Sequence, residues 1–383
     1  MKKATTTIFI LFGLLTLSSQ TATDITNLQA PTLDETSGLI FYNNKLITHN
    51  DSGDAPNLYE IDMNTGAITR TVIINNATNI DWEDITQDAS HIYIGDIGNN
   101  SGNRTDLKIY KISKSDYIDT DNAVTPEIIS YSYANQTDFT QNVNNNNWDA
   151  EGLISYGEKL LIFSKNWVDN TVNVYSIPKT SSEVHNAILE SSYNTNGLIT
   201  GVDTTPNESV IFLTGYSTTN APFMFTIYNI PNASLDIFSG VVSEKISNIV
   251  PLGNQVEAIS LFEITTTKHR LYISNEKYSV TIGPITIPFP SKLWMIEIDT
   301  DTVTLTTPSI ASDVALSLYP NPFDTLLNLS ERVDKIIIYD VFGRKITVQH
   351  FVKELSLEGL NKGLYIAHIE INDSKLVKKI IKQ

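Results

Sequence analysis

The chain has 383 residues, 41% apolar and 18% charged, which is enough for two or more domains with real cores and excludes wholesale disorder. Its formal net charge of −17 excludes a nucleic-acid partner, because phosphate binding needs clustered Lys and Arg. It has no cysteine, so thiol catalysis, disulfides and Cys-ligated zinc are excluded as well.

The first element is a signal peptide, predicted over residues 1–22. Lys2 and Lys3 form its positive region, Ile8 to Leu17 its apolar run, and Ser18, Ser19, Thr21 and Ala22 the small and polar cleavage zone. Cleavage is expected between Ser19 and Ala22, after passage through the Sec translocon. The run is short of the roughly 20 apolar residues that span a bilayer, and no second candidate follows, so no transmembrane segment is expected. Export without disulfides fits a bacterial protein.

Residues 23–312 form the body, with 14 Lys+Arg against 34 Asp+Glu, a net of −20; residues 313–383 hold 10 against 9. This shift in charge marks a boundary near residue 312. Within the body one unit recurs five times. Each copy opens at an acidic or small stretch: Glu35-Thr36-Ser37-Gly38-Leu39, Asp81-Trp82-Glu83-Asp84-Ile85, Asp149-Ala150-Glu151-Gly152-Leu153, Ile199-Thr200-Gly201-Val202-Asp203 and Gln255-Val256-Glu257-Ala258-Ile259. An apolar second strand follows (Leu46-Ile47-Thr48, Ile92-Tyr93-Ile94, Leu160-Leu161-Ile162, Val210-Ile211-Phe212, Leu271-Tyr272-Ile273). Third strands carry Tyr59/Ile61, Tyr110/Ile112, Tyr175/Ile177, Tyr228/Ile230 and Ile296/Ile298, and weaker fourth strands include Ile68–Ile74, Glu127–Tyr133 and Leu235–Val242. Four short strands per unit, with no helical period, predict an all-β fold and a β-propeller, since one blade cannot bury both faces alone. Five blades are expected, with six as the alternative. Ser130 to Asp149 reads as a loop between blades, and Ile25 to Gln29 as a segment that closes the ring on the last blade.

In a propeller the first strands line a central channel, and the start of strand one and the end of strand two open on the same face. Glu35, Glu83, Asp84, Glu151, Asp203 and Glu257 from the first group should therefore meet Asn50, Asp51, Asp96, Asn99, Lys165, Asn275 and Glu276 from the second. The spacing supports this register: Ser37 to Asn50, Glu83 to Asp96 and Glu151 to Ser164 are each thirteen residues. Converging carboxylates repel unless protonated or neutralised by a cation. Oxygen ligands without His or Cys favour calcium or magnesium. The reading is a calcium site at Glu83, Glu151, Glu257 and Asp96; its alternative is that the carboxylates bond backbone amides and hold neighbouring blades in register. Trp82 and Trp148, at near-equivalent positions, are candidate ligand platforms or core residues. His49 is a candidate acid or base, and Asn50, Asp51, Asn99 and Asn275 are candidate ligand contacts. No Gly-x-Ser-x-Gly, His-Glu-x-x-His or phosphate-binding Gly loop is present, which disfavours serine hydrolases, zincins and nucleotide enzymes.

Residues 313–383 open with Leu318-Tyr319-Pro320-Asn321-Pro322-Phe323, whose prolines forbid helix and central strand alike. Then come a strand ending Asp340-Val341-Phe342-Gly343-Arg344, a turn and strand with Gly363-Leu364-Tyr365, and a basic last strand from Ser374 to Lys382; short strands at this spacing predict a small β-sandwich. Tyr319, Pro320, Asn321, Pro322, Gly343, Arg344, Gly363 and Tyr365 together resemble the type A C-terminal sorting domain of the bacterial type IX secretion system. The resemblance implies a Bacteroidetes-type source, recognition by the type IX machinery, passage from periplasm to the extracellular space or outer-membrane surface, and removal of the tail. The body's Glu151-Gly152-Leu153 is similar to blade openings in six-bladed, calcium-dependent phytase-like and gluconolactonase-like propellers, from which the apparent five blades depart. Two functions follow as expectations: a secreted or surface module that binds a glycan or protein, or a calcium-dependent hydrolase of phosphate esters or lactones at the channel mouth.

Overall fold

The computed structural model describes residues 21–120, 122–231, 234–299, 316–340, 345–371 and 374–383. The segment expected to be a signal peptide, residues 1–22, lies outside the described residues save Thr21 and Ala22. The chain divides into two compact units, Met1–Thr300 and Asp301–Gln383.

Among the described residues the first unit is a ring of five antiparallel blades. Blade 1 is Thr36–Tyr42, Lys45–Asn50, Asn57–Ile61 and Ile68–Ile74, with the short Ala123–Val124 on its rim. Blade 2 is Trp82–Gln87, His91–Asp96, Lys108–Ser113 and Glu127–Tyr133; blade 3 is Ala150–Tyr156, Lys159–Ser164, Thr171–Pro178 and His185–Asn194. Blade 4 is Leu198–Thr204, Val210–Tyr216 and Pro222–Tyr228, and blade 5 is Val256–Ile264, Lys268–Asn275 and Lys292–Asp299. Each first strand packs beside the next, and that of blade 5 returns to that of blade 1. The expected closure is present: Thr23–Asn27 adds to Lys292–Asp299 as the outermost strand of blade 5.

The cores explain why the strands read as unbroken apolar runs. Five buried clusters lie between successive blades, one at each junction of the ring. Because side chains alternate along a strand, one strand feeds two clusters. In blade 3, Leu160 and Ile162 enter the cluster shared with blade 2, while Leu161 and Phe163 enter that shared with blade 4. Each such side chain contributes about 1.5–3 kcal/mol on burial, and stacked neighbours are what make it available. The hairpin between the first two strands of blade 1 turns on Asn43 and Asn44 at φ 49° and 57°, the left-handed pair that a two-residue turn requires.

Three local expectations are corrected. Lys114–Asp119 is a short helix, too short to show a period, pinned by the buried Tyr117, whose hydroxyl donates to Glu60 Oε1 at 3.2 Å. Leu235–Val242 is not one strand: Ile237–Ser239 forms a 3₁₀ turn, because Ser239 returns both its N–H and its hydroxyl to the Asp236 carbonyl, and Val241–Val242 and Ile246–Ser247 pair with the third strand of blade 4. Glu127–Tyr133 runs as a strand past Ser130, so the connection to blade 3 begins later than the sequence suggests.

The second unit is a sheet of Leu318–Tyr319, Leu326–Asp340, Lys345–Ser356, Gly363–Ile371 and Ser374–Lys382. Its long strand breaks register between Asn328 and Val333, which lets it serve both sides of one core built on Phe323, Leu327, Ile336, Ile338, Tyr365 and Ile369. The Tyr-Pro-Asn-Pro segment is fastened to the last strand. Asn321 donates to the Lys379 carbonyl and accepts from the Ile381 N–H, both at 2.9 Å. Tyr365 donates to the Asn361 carbonyl at 2.8 Å. Gly343 and Arg344 lie outside the described residues.

Candidate functional site

The five openings share one device. Each first strand carries a β-bulge near its start, and the residue left out of the pairing is Gly38, Glu83, Glu151, Thr200 or Glu257. A bulge re-aims the side chain of the extra residue. Three of the five are glutamates, all buried. The expected register is off by one residue: Asn50, Asp96 and Ser164 face Thr36, Trp82 and Ala150 rather than Ser37, Glu83 and Glu151, because the bulge takes Glu83 and Glu151 out of the pairing and sets Ser37 against His49. In four of the five blades the residue after the second strand then donates its N–H to the residue before the first: Asp51 to Glu35, Ile97 to Asp81, Lys165 to Asp149 and Glu276 to Gln255; in blade 4, Ser217 donates to Ala221 instead. This repeated clamp brings the strand-one openings and strand-two ends to one end of the channel.

At that end two carboxylate triads overlap. Asp51, Asp81 and Glu83 bring one oxygen each within 4.8 Å of the others, and so do Glu83, Asp149 and Glu151. Glu83 belongs to both. Its carboxylate accepts no hydrogen bond among the described residues, and Gly98 makes room for it: a Cβ there would stand 2.1 Å from Glu83 Oε1 and 2.5 Å from Asp81 Oδ2. Asp149 is oriented by the Asn99 N–H at 2.6 Å and by Trp167 Nε1 at 2.8 Å. Glu151 gives Oε1 to the buried Lys165 ammonium and leaves Oε2 buried without a partner. Lys165 also stands 4.9 Å from the centre of the Trp167 ring and 5.3 Å from that of Tyr216.

The electrostatics follow from burial. Loss of water raises Asp51 to about 6, and burial with the charge of Asp51 and Asp149 raises Asp81 to about 7. Burial, then Asp51 and Glu151, push Glu83 well above the carboxylate range. Glu276 rises to about 7 by burial and by Asp51 and Glu35. Burial alone would lower Lys165, but Glu151 and the surrounding acids hold it well above an ordinary lysine, so it stays charged.

Several expected ligands have other duties. Asp96 accepts from Arg104 Nη2 at 2.8 Å and from the Asp81 N–H at 3.2 Å, an ion pair that takes it out of both triads. Glu257 is buried beside Lys165 and Glu276 and joins neither triad among the described residues. Asp84 and Asp203 hold blades in register instead: Asp84 Oδ2 accepts from the Leu153 N–H at 2.8 Å, and Asp203 Oδ2 from the Leu261 N–H at 2.6 Å. The alternative reading of the carboxylates therefore describes these two.

The other candidate ligand residues are placed as follows. Trp82 is fully buried between His49 and Tyr110 and offers no face. Trp148 packs on Tyr133 against the core between blades 2 and 3. His49 is buried, with burial lowering its pKa to about 4, so it is neutral and away from solvent. Asn50 donates to the Thr32 carbonyl and to Asp54; Asn99 donates to the Trp148 carbonyl; Asn275 accepts from Trp294 Nε1 and donates to two carbonyls. All three are spent on loops. Asp81 and Asp149, members of the triads outside the candidate set, each stand two residues before a bulge glutamate, a recurrence the sequence does display. Trp167, half-exposed, is the tryptophan that borders the triads.

The opposite, hairpin end of the channel holds a cavity of about 940 Å³ lined by Phe41, Tyr93, Lys114, Lys179 and Phe262. Its charges serve one another, Lys179 bonding Asp88, Ser155 and the Gly157 carbonyl.

Residues 317–383 match the family described as a secretion system C-terminal sorting domain. The tail is a sorting domain. It is of the type IX kind, which makes the chain a protein exported to the surface or beyond by that machinery. The sorting domain covers the second unit and leaves the propeller unassigned. No curated protein is similar to the chain in sequence. A solved chain from "Crystal Structure of Mitotic Checkpoint Complex" is 10% identical over 76% of this chain and 88% of its own, with a TM-score of 0.33, a likeness too slight to carry an argument. No helix among the described residues is long and apolar enough to cross a membrane.

Proposed function

We propose that the propeller is a secreted or surface-displayed binding module that holds calcium at the channel mouth and captures a glycan or protein ligand through it. The observation that carries this reading is the overlap of two carboxylate triads around Glu83, with a buried Glu151 oxygen that no protein group satisfies. A buried acceptor without a partner costs on the order of 1–3 kcal/mol, which a cation would recover. All-oxygen donors suit calcium, whose coordination tolerates irregular geometry. Asp51 and Asp81 are half-buried, so an ion bound there keeps a side towards solvent where hydroxyls of a sugar or a carbonyl of a protein could complete its shell. In this reading residues 1–22 direct Sec export, the sorting domain directs outer-membrane passage, and the body remains outside the cell.

The same solvent-facing side favours a second reading, a calcium-dependent hydrolase of phosphate esters or lactones, because metal-assisted hydrolysis needs an open coordination position. Melting of purified mature protein in chelator and in calcium tests the shared premise; an unchanged midpoint refutes both readings. Turnover of phosphate esters or lactones by the calcium-loaded protein, abolished in Glu83→Gln, would replace the binding reading with the hydrolase.

A further inference from the structure

Resting on that calcium-binding reading, we infer that the mouth is a two-cation site in which Glu83 bridges a closed inner ion and an open outer ion.

The two triads do not form one large cluster; they meet at a single residue. A carboxylate shared in this way is the arrangement that links two divalent ions at the 3.5–4 Å typical of two-metal sites. Charge gives the same count. Asp51, Asp81, Glu83, Asp149 and Glu151 carry five negative charges when ionised, and Lys165 supplies one positive charge in contact with Glu151. At least four negative charges remain, since Glu257 draws on the same ammonium, and one divalent ion would leave two or more of them uncompensated in a largely buried cluster.

The halves differ in what surrounds them. Glu83, Asp149 and Glu151 are all buried, Asp149 is locked by Asn99 and Trp167, and Glu151 Oε2 has no other partner, so the inner position is pre-organised and dry. Asp51 and Asp81 are half-buried, and neither carboxylate is held by a side chain of another element among the described residues. The inner ion is therefore the tight, structural one, and the outer ion is the weaker, exchangeable one that meets the ligand.

Calcium titration of the chelator-stripped mature chain by calorimetry, with equilibrium dialysis for stoichiometry, tests this. Two ions per chain in two affinity classes are expected. Asp51→Asn, an isosteric change at a half-buried position, should weaken the lower-affinity class about tenfold or more and leave the tighter class within about threefold. Asp149→Asn should weaken the tighter class, and Glu83→Gln should weaken both. A stoichiometry of one overturns the two-ion inference and leaves the calcium-binding reading standing; a stoichiometry of zero overturns both. Two ions bound with unchanged affinities in Asp51→Asn and Glu83→Gln would place them elsewhere and overturn the assignment.

Discussion

Stripping the mouth of cations should make the protein less stable as pH rises from about 5 to about 8, the reverse of ordinary acid denaturation. Asp51 and Asp81 move from 3.8 to about 6 and about 7 on folding. Their folded pKa values are raised, so the stability they contribute is fully present below the unfolded value and is lost as pH climbs through 6 and 7. At about 1.36 kcal/mol per unit, the parts of the two shifts that lie above pH 5 correspond to roughly 1 and 3 kcal/mol. With 2–4 °C per kcal/mol for a domain of this size, the midpoint in chelator should fall by about 10 °C across the window. Calcium replaces the missing protons, so it should restore the midpoint near pH 8 and do little near pH 5, and its binding at neutral pH should release protons. Thermal melts at three pH values, with and without calcium, read this directly, and Asp81→Asn should flatten the slope in chelator. A midpoint in chelator that is constant or rises between pH 5 and 8 would refute the idea that these carboxylates share a water-poor mouth.

Lys165→Met should cost about 3–5 kcal/mol near pH 8, because it leaves Glu151 buried beside Asp149 without its cation, and less near pH 5 where Glu151 takes up a proton; denaturant unfolding at both pH values checks it. Gly98→Ala should reduce calcium affinity by about tenfold or more while the protein stays folded, since its Cβ would displace Glu83 and Asp81; calorimetry and circular dichroism separate the two effects. Asp84→Ala should lower stability by about 1–3 kcal/mol, by stranding the buried Leu153 N–H, and leave calcium binding unchanged. Asn321→Ala, which removes two bonds to the last strand, should loosen the sorting domain and leave more protein in the periplasm, measured by fractionation and immunoblot.

The address and the architecture were legible in the chain itself. Tyr319-Pro320-Asn321-Pro322 and the spaced Gly and Tyr residues are local, short-range features, and the sorting domain is recognised by them. The repeat was legible because every blade solves the same burial problem, so apolar strands and acidic openings return at each turn of the ring. The pairing register was legible only to within one residue: Asp96 and Ser164 pair with Trp82 and Ala150, and the glutamates one place on are left unpaired by the bulge.

What a carboxylate does at its position was not legible. Glu83 and Asp84 are adjacent in sequence, yet the bulge sends Glu83 to the mouth and leaves Asp84 bonded to the Leu153 amide of the next blade. Asp96 satisfied every sequence criterion for a ligand until Arg104, eight residues on, was found to claim it. Asp149, unremarkable as a loop residue, enters the inner triad because blade 3 stands beside blade 2. Residue type and repeat position, both local, determined the inventory of acids and the ring that carries them. Which acids meet, which are paired and which remain without a partner depends on distances between different blades, and only the closed tertiary structure decided that.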